Sequence, residues 1–559
     1  MKINNIWSQG QLFAFSGLDG KTDYKNDFTG ILSGDRIGIK FFTKIRRELA
    51  IVGFGAKELK FDCVLSDCIC AQTDKGTLNV VFQERNLVVG NMPKDAVATV
   101  FAEGVVSVEK ISDQVTVLGD GEEFTTLAVE GDRFSFAFGN TLQESVLLAE
   151  KGLGIGVETA VQNKLEYYAR HTLDDEKYGR LYSKCVSVMK TQIYSPEGRF
   201  SGFWSTPDRL PHRALWLWDS VFHSIGHRHL HPKIAEQLVL SILDTQRENG
   251  MIPHMSSPYW SSEISQPPVI AWGALKVYEK TQNKQFLKKV FDGNKAFLEW
   301  CFSNRRVDGD ALFAWNTGDD VKCRCDESGM DNSPRFDDYT LLKTVDFSCF
   351  MASEMRAMSK IAAELSEDFE VFDRRFEEIK NDINQKLWDE QDGIYYDVEA
   401  DSGCFHKVAS VASFLPLFAG VADAHRAKRL IEHLNNPDTF KAPFNIPCLA
   451  KNHPTFGTDM WRGPVWINYN YMIAEGLDNY GYTKPAKEIR QSTLEVINHW
   501  YNLTGTLFEF YDSNNVLPPS KLNRKGLPVE PYDFKIRYQS IRDYGWTVTL
   551  TFDLLNEFL

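Results

Sequence analysis

Carboxylates set among aromatic rings are the first chemical feature of this sequence, and a few segments hold most of them. Asp331 stands in ESGMDNSP and Glu509 in FEFYD, with Glu327, Asp337 and Asp346 near the first and Asp319 and Asp320 following WNTG. The same segments carry Trp204, Trp216, Trp218, Asp219 and His223, then Trp260, Gln266, Trp315 and Asn332, and finally Trp461, Arg462, Trp466, Tyr511 and Trp546. Apolar C–H faces of a sugar stack on aromatic rings, and its hydroxyls need Asp, Asn, Gln or Arg partners, so the set suits a carbohydrate. Hydrolysing an acetal needs a proton on the leaving oxygen and an activated water on the opposite face, hence two carboxyl groups whose pKa values are held apart. Taken singly, each Trp reads as core, Asp331 as a capping or turn carboxylate and Glu509 as a solvated loop acid. It is their convergence that points to a site, and the residues alone leave the ranking of the carboxylates open.

The elements that must position them fall into two regions. Up to about residue 150 the pattern has period two: RIGIKFFT, LNVVF and VTVL read as short strands, and Phe134, Phe136 and Phe138 alternate with Ser135 and Ala137. An antiparallel β-sandwich is expected over 1–155. Beyond it the period is helical: Phe372, Phe376, Ile379, Ile383 and Leu387 share one face, and no convincing strand follows. About twelve helices are expected between Asp174 and Leu559, in pairs, with Pro268 and Pro464 as first-turn signals. Even members such as PVIAWGALKVY, VASFLPLF and VWINYNYMIAEGL are apolar nearly all round, while odd members carry a charged face. Apolar helices belong inside a ring of amphipathic ones. Links from even to odd helices are very short and links from odd to even are long, which places the long links, and the residues above, on one face of a helical toroid over 156–559.

The 559 residues are 43% hydrophobic and 25% charged, as in an ordinary soluble protein. A net charge of −14 argues against nucleic acid or an anionic membrane as a partner and favours a small ligand. The N-terminal stretch lacks the apolar run of a signal peptide, and no spanning segment is read, so a cytoplasmic protein with reduced cysteines is expected. Cys68 with Cys70 and Cys323 with Cys325 lack the usual zinc spacing and read as buried thiols; His227, His229 and His231 read as solvated histidines at a helix end. No metal or cofactor is expected, and the residues do not speak to oligomeric state.

In this order WLWDSVFH, SQPPV, ESGMDNSP, WRGPVW and FEFY resemble glycoside hydrolase family 63, particularly its bacterial mannosylglycerate and glucosylglycerate hydrolases, with trehalases as more distant relatives. The resemblance spans about 200–550. It implies an (α/α)6 barrel, α-linked gluco- or manno-substrates and inversion at the anomeric carbon. It also implies that Asp331 is the general acid and Glu509 the general base, and that Asp219, Gln266, Trp461 and Arg462 bind sugar. Glu327 is expected to support the residues that touch substrate or to order its loop, and Asp337 to contact substrate or sit at a helix start. The segment from Asn514 to Arg542 matches nothing in the resemblance; its cations Lys521, Arg524 and Lys525 read chiefly as solvated charge, with an acidic leaving group as the sharper reading. Two other classes stay open. A sugar epimerase or polysaccharide lyase on a similar toroid would use histidines such as His212, His223 and His254. A non-catalytic carbohydrate-binding protein would keep the pocket but not need both carboxylates.

Overall fold

The computed structural model describes residues 10–33, 38–42, 48–51, 60–94, 96–100, 107–320, 322–338, 341–527 and 538–558. Residues 36, 37 and 43 of the RIGIKFFT strand, and the N-terminal residues 1–9, lie outside them. The chain forms two compact units: Met1–Glu197 with Phe203–Arg213 and Trp500–Leu507, and Gly198–Gly202 with Ala214–His499 and Phe508–Leu559.

The first unit opens with two antiparallel sheets. One has the order β1 (Leu12–Ala14), β2 (Thr29–Ser33), β3 (Gly38–Phe42), β4 (Glu48–Ile51). The other contains β5 (Lys60–Val64), β6 (Cys68–Thr73), β7 (Gly76–Glu84), β8 (Leu87–Asn91), β9 (Ser107–Lys110), β10 (Val115–Gly119), β11 (Phe124–Glu130) and β12 (Arg133–Gly139). They lie in the order β5-β6-β7-β8-β12-β11-β10-β9. Phe13 from the first sheet and Phe28, which just precedes β2, share a core with Phe82, Phe134, Phe136 and Phe138 from the second. The alternation along β12 has a different cause from the one expected. Ser135 and Ala137 are buried too, because α1 (Leu142–Leu153) packs on β11 and β12. A Cβ at Gly152 of α1 would lie 2.0 Å from Ser135 Oγ. This helix falls within the stretch read as all-β, and it is capped by Thr141, whose side chain accepts from Glu144 N. Helices α2 (Val157–Ala169) and α3 (Gly179–Thr191) complete the unit's main elements.

The second unit is helical. Its elements are α4 (Leu217–Leu230), α5 (Pro232–Leu243), α6 (Ile270–Thr281), α7 (Lys284–Asn304), α8 (Val345–Leu365), α9 (Glu370–Asp382), α10 (Leu415–Ala419), α11 (Ala424–Asn435), α12 (Ile467–Asn479) and α14 (Gly545–Phe558). Helix α13 (Thr483–Thr504) belongs partly to each unit. The apolar members touch in a closed cycle: α4 packs on α6, α6 on α8, α8 on α10, α10 on α12, α12 on α14, and α14 returns to α4. Burial follows that cycle, for α8 is buried along most of its length whereas α9 buries only Phe372 and Ile379. Glu354 of α8 accepts from the Ala271 and Trp272 amides that open α6 (2.9 and 3.0 Å) and from Asn294 of α7 (2.6 Å). One buried carboxylate thus satisfies amides at a helix start that would otherwise be orphaned, although burial raises its pKa.

Two local readings need correction. Short strands do occur after residue 155, as in Trp388–Asp389 with Ile394–Tyr395, and Leu342–Lys343 with Asp397–Glu399; two or three residues are too few to show a period. The histidine cluster is less solvated than expected: His227 is buried, and His229 and His231 are half-buried. His229 Nε2 meets Asp553 Oδ1 of α14 at 2.8 Å, and Arg228 Nε donates to the same oxygen at 3.0 Å. No helix among the described residues is long and apolar enough to cross a membrane.

Candidate active site

The link between α7 and α8 carries Asp331 and is pinned on both sides of it. Upstream, buried Glu327 accepts from Arg305 (2.8 and 2.9 Å), Ser265 N (3.0 Å) and Asn316 N (2.7 Å), the loop-ordering role expected of it. Downstream, buried Arg335 binds Asp346 at 2.6 and 2.9 Å and Asp397 at 2.7 and 2.9 Å. Between them the chain turns at Gly329 (φ 71), where a Cβ would stand 2.3 Å from the Trp218 ring; only glycine meets both demands. The Asp331 side chain stays 18% exposed, and its Oδ2 accepts from Lys525 Nζ at 2.5 Å with Cys323 Sγ 3.5 Å away.

Glu509 comes from the link between α13 and α14. Its neighbours are pinned by bridges from Phe508 to Arg542 and from Tyr511 to Val465, and its amide donates to Ile541 O at 2.9 Å. The carboxylate is buried and takes two bonds from one guanidinium, Arg524 Nε at 2.7 Å and Nη2 at 3.2 Å. Burial works against a charged Arg524, yet the Glu509 carboxylate keeps its pKa above the usual range, and Asp331 adds to that effect. Consecutive residues of one segment, Arg524 and Lys525, therefore meet the two carboxylates expected to do the chemistry. Lys525 behaves alike: burial opposes its charge and Asp331 outweighs it. These two cations are not the solvated charges expected of them; Lys521 is exposed.

A third carboxylate holds this arrangement. Asp459 accepts from Asn332 Nδ2 at 3.1 Å and from the Lys525 amide at 3.0 Å, and burial raises its pKa. Asn332 Oδ1 in turn accepts from Trp461 N at 3.0 Å. Lys525 adopts φ 59 and Met460 φ 41, uncommon for residues with a Cβ and found where the surroundings dictate them.

Trp218, Trp461, Trp466 and Trp546 form one aromatic cluster with Tyr469. Trp461 stacks on Trp466 at 3.8 Å, and Trp218 and Trp466 contact Trp546 at 5.4 and 5.7 Å. The buried indole N–H groups of Trp461 and Trp546 have no hydrogen-bond partner among the described residues. Gln266 Oε1 accepts from Trp218 N at 3.2 Å, and Asp219 is buried in the first turn of α4. Trp216 lies edge-on to His254 at 5.1 Å, and His223 sits where a Cβ on Gly545 would be, 2.2 Å from its Nε2. Arg462 and Asp337 pair at 2.5 Å. Two candidates are tied into the framework: Trp315 donates to Asp346 at 2.9 Å and stacks on Phe347, and the Tyr511 hydroxyl accepts from Phe508 N at 3.0 Å. Trp204 and His212 belong to the first unit, where Trp204 stacks on Tyr194 at 4.4 Å and His212 pairs with Asp208 at 2.5 Å. His254 is buried, which brings its pKa down to about 4 despite nearby Asp331 and Glu327.

Asp326 and Asp459 escaped the sequence reading, and Cys323, read there as a buried thiol, is half-buried beside Asp331. Asp459 stands two residues before WRGPVW, a position that marks it, whereas nothing in the spacing marks Cys323. Cys323, Asp326 and Asp331 lie close enough together to share a cation, and the Lys525 ammonium stands 2.6 Å from Cys323 Sγ and 4.0 Å from Asp326. All ten cysteines are free thiols.

The family model of the mannosylglycerate hydrolase MGH1-like glycoside hydrolase domain matches residues 211–515, more than half of the chain. The chain belongs to this family of glycoside hydrolases. A mannosylglycerate hydrolase of Thermus thermophilus is 27% identical over 382 residues, covering 53% of this chain and 89% of that protein. Among solved structures, a GH63 mannosylglycerate hydrolase from Thermus thermophilus in complex with Tris and D-glycerate superposes with a TM-score of 0.54 at 23% identity, over 67% of this chain and 99% of that one. A bacterial glucoamylase complexed with acarbose gives a TM-score of 0.62 at 11% identity, over 99% of this chain and 94% of its own, a likeness of fold. This MGH1-like chain is a glycosidase that carries an antiparallel β region before its helical part.

Proposed function

We propose that this MGH1-like hydrolase is an inverting glycosidase that cleaves an α-linked glucoside or mannoside, of oligosaccharide or glycosylglycerate type, with Asp331 as general acid and Glu509 as general base. The observation that carries the reading is the pairing of Asp331 and Glu509 with the adjacent cations Lys525 and Arg524, which gathers two carboxylates of unlike environment around one dipeptide. The closed cycle of apolar helices supports an (α/α)6 barrel as scaffold, with the two sheets forming a β-sandwich before it. Long links of such a scaffold present the aromatic cluster, Asp219, Gln266 and Arg462 to a sugar. The partners of His212 and the neutrality of His254 favour hydrolysis over a histidine-based epimerase or lyase.

Purified protein assayed on α-linked disaccharides and glycosylglycerates should release free sugar. Asp331→Asn and Glu509→Gln should each lower kcat by about 10² to 10⁴-fold while the fold is kept. Inversion predicts that an α-linked substrate yields the β-anomer first, visible by NMR before mutarotation. Release of the α-anomer, or a folded variant with near wild-type turnover, would overturn the assignment.

A further inference from the structure

Three thiols stand on one face of the eight-stranded sheet. Cys68 and Cys70 of β6 are two residues apart and so point to the same side. Cys63 of β5 lies directly opposite Cys70 in the antiparallel register, which puts it on that side too. Val64, Ile69 and Ala71 of the same strands point the other way, into the core that both sheets share. Cys63 and Cys68 are buried and Cys70 is half-buried, so Cys70 is where a small reagent can enter.

The hairpin holds them in place. Leu65 N donates to Cys68 O at 2.8 Å and Ser66 N to Ser187 Oγ of α3 at 2.7 Å. Buried Asp67 accepts from Lys190 Nζ of α3 and from the Tyr168 hydroxyl of α2, both at 2.6 Å. With its tip fixed to two helices the hairpin cannot slip, and a slip of one residue is what would carry Cys63 away from Cys70. Opposed residues of an antiparallel pair have Cα atoms about 4.5 to 5.5 Å apart, inside the range of about 4.4 to 6.8 Å that a disulfide spans. Cys68 and Cys70, two steps along one strand, stand about 6.4 to 6.8 Å apart, at the limit of that range. Their sulfurs, 3.8 Å apart, share a hydrogen bond instead. It keeps the proton on Cys68, whose pKa this bond and burial raise, and it lowers the pKa of Cys70 against burial and Asp62. Cys63 is a neutral thiol, kept so by burial and then by the charge of Cys70.

We propose that these thiols form a thiol–disulfide exchange site for a low-molecular-weight disulfide, with Cys70 as the attacking sulfur and Cys63 as the resolving one. The Cys70 thiolate attacks one sulfur of the reagent; the S–S bond breaks, one thiol leaves with a proton from solvent, and a mixed disulfide remains on Cys70. That step removes the charge that opposed ionisation of Cys63. Cys63 then gives its proton to solvent and attacks the Cys70 sulfur, and the second thiol leaves with a proton. Two protein thiols are oxidised and one disulfide is reduced to two thiols. The product ties β5, which ends its sheet among the described residues, to β6. An end strand is the one open to pairing with another chain, so the link fastens the strand that most needs it.

The test incubates the full-length protein with glutathione disulfide, in a Cys404→Ser background that removes the exposed thiol. Mass spectrometry of the unreduced tryptic digest reads the peptide from Phe61 to Lys75, which holds all three cysteines. It should lose two hydrogens, and fragmentation should place the link between Cys63 and Cys70. Cys70→Ala should stay reduced there, and Cys63→Ala should stop at a glutathione adduct on Cys70. Cys68→Ala should react about tenfold more slowly at neutral pH, the effect of about one unit in thiol pKa. Oxidation should raise the melting temperature of the parent, and dithiothreitol should reverse the rise. Where an alanine variant fails to melt cooperatively, the serine variant replaces it. An unreacted peptide, a link between Cys68 and Cys70, an adduct that persists on Cys70 of the parent, or a reaction seen only when urea unfolds the protein overturns the proposal.

Discussion

Asp331 and Glu509 sit at opposite extremes of how a carboxylate can be held. Glu509 is buried, fixed by a bidentate guanidinium and flanked by bridged backbone on both sides. Asp331 is partly open and held by one flexible ammonium, although its loop is anchored by Glu327 and Arg335. A fork that matches a carboxylate resists release, whereas a point charge on a four-carbon stem can swing away. The contrast teaches that backbone precision and side-chain freedom are set separately: the chain places Asp331 rigidly and leaves its charge partner replaceable.

The sharpest break in that comparison should come from Arg524→Ala, which leaves Glu509 buried without its partner. Stability should fall by about 3 to 5 kcal/mol, the usual result of stranding one member of a buried pair. Lys525→Met, removing a partly exposed partner, should cost less than about 1 kcal/mol. Urea unfolding of both variants checks this, and similar losses would show that the two pairs are energetically alike.

His254 gives a pH test on the Asp331 side. Its pKa is about 4 in the folded protein against an ordinary 6.5, so between these values the unfolded chain binds a proton that the folded chain refuses. Stability should then rise with pH across that window and be lost as the pH falls, by an amount on the order of 3 kcal/mol. Asp326 acts in the opposite sense between 3.8 and about 6, because its raised pKa favours the folded state when protonated. Melting temperatures of wild type and His254→Asn at several pH values isolate the histidine: the variant should show the shallower decline on acidification. Parallel declines would mean that His254 is not held neutral.

Asp459→Asn keeps the shape of the link between the two sides but weakens the bonds to Asn332 and the Lys525 amide. It should cost about 1 to 2 kcal/mol and disturb the Lys525 side more than the Glu509 side. Smallest of all, the partly exposed Arg462–Asp337 pair should contribute less than about 1 kcal/mol to stability, so that Asp337→Asn affects substrate binding before it affects melting.

Much of this architecture was legible because period and link length are local properties. The helix pairs, their apolar and charged members, and the alternation of short and long links follow from residues that repeat their surroundings. Asp331 and Glu509 could be singled out because motifs surround them. What escaped had no local sign. The burial of Ser135 depends on how α1, the next element in the chain, folds back over β12, and the hydrogen bond of His229 on a carboxylate more than three hundred residues away. Lys525 looked like surface charge since a lysine in a Pro-rich segment usually is; only the fold brings Asp331 to it.

The separation of ring from links also bears on how such a protein can change. Consecutive ring contacts are made by helices alone, and the long links leave from the ends of the outer members. Lengthening a tethered segment is thermodynamically cheap, about 0.6 kcal/mol for each doubling. Where a link carries no partner of a buried group, as Arg524 is of Glu509, it can therefore grow or shrink while the helical wall stays untouched.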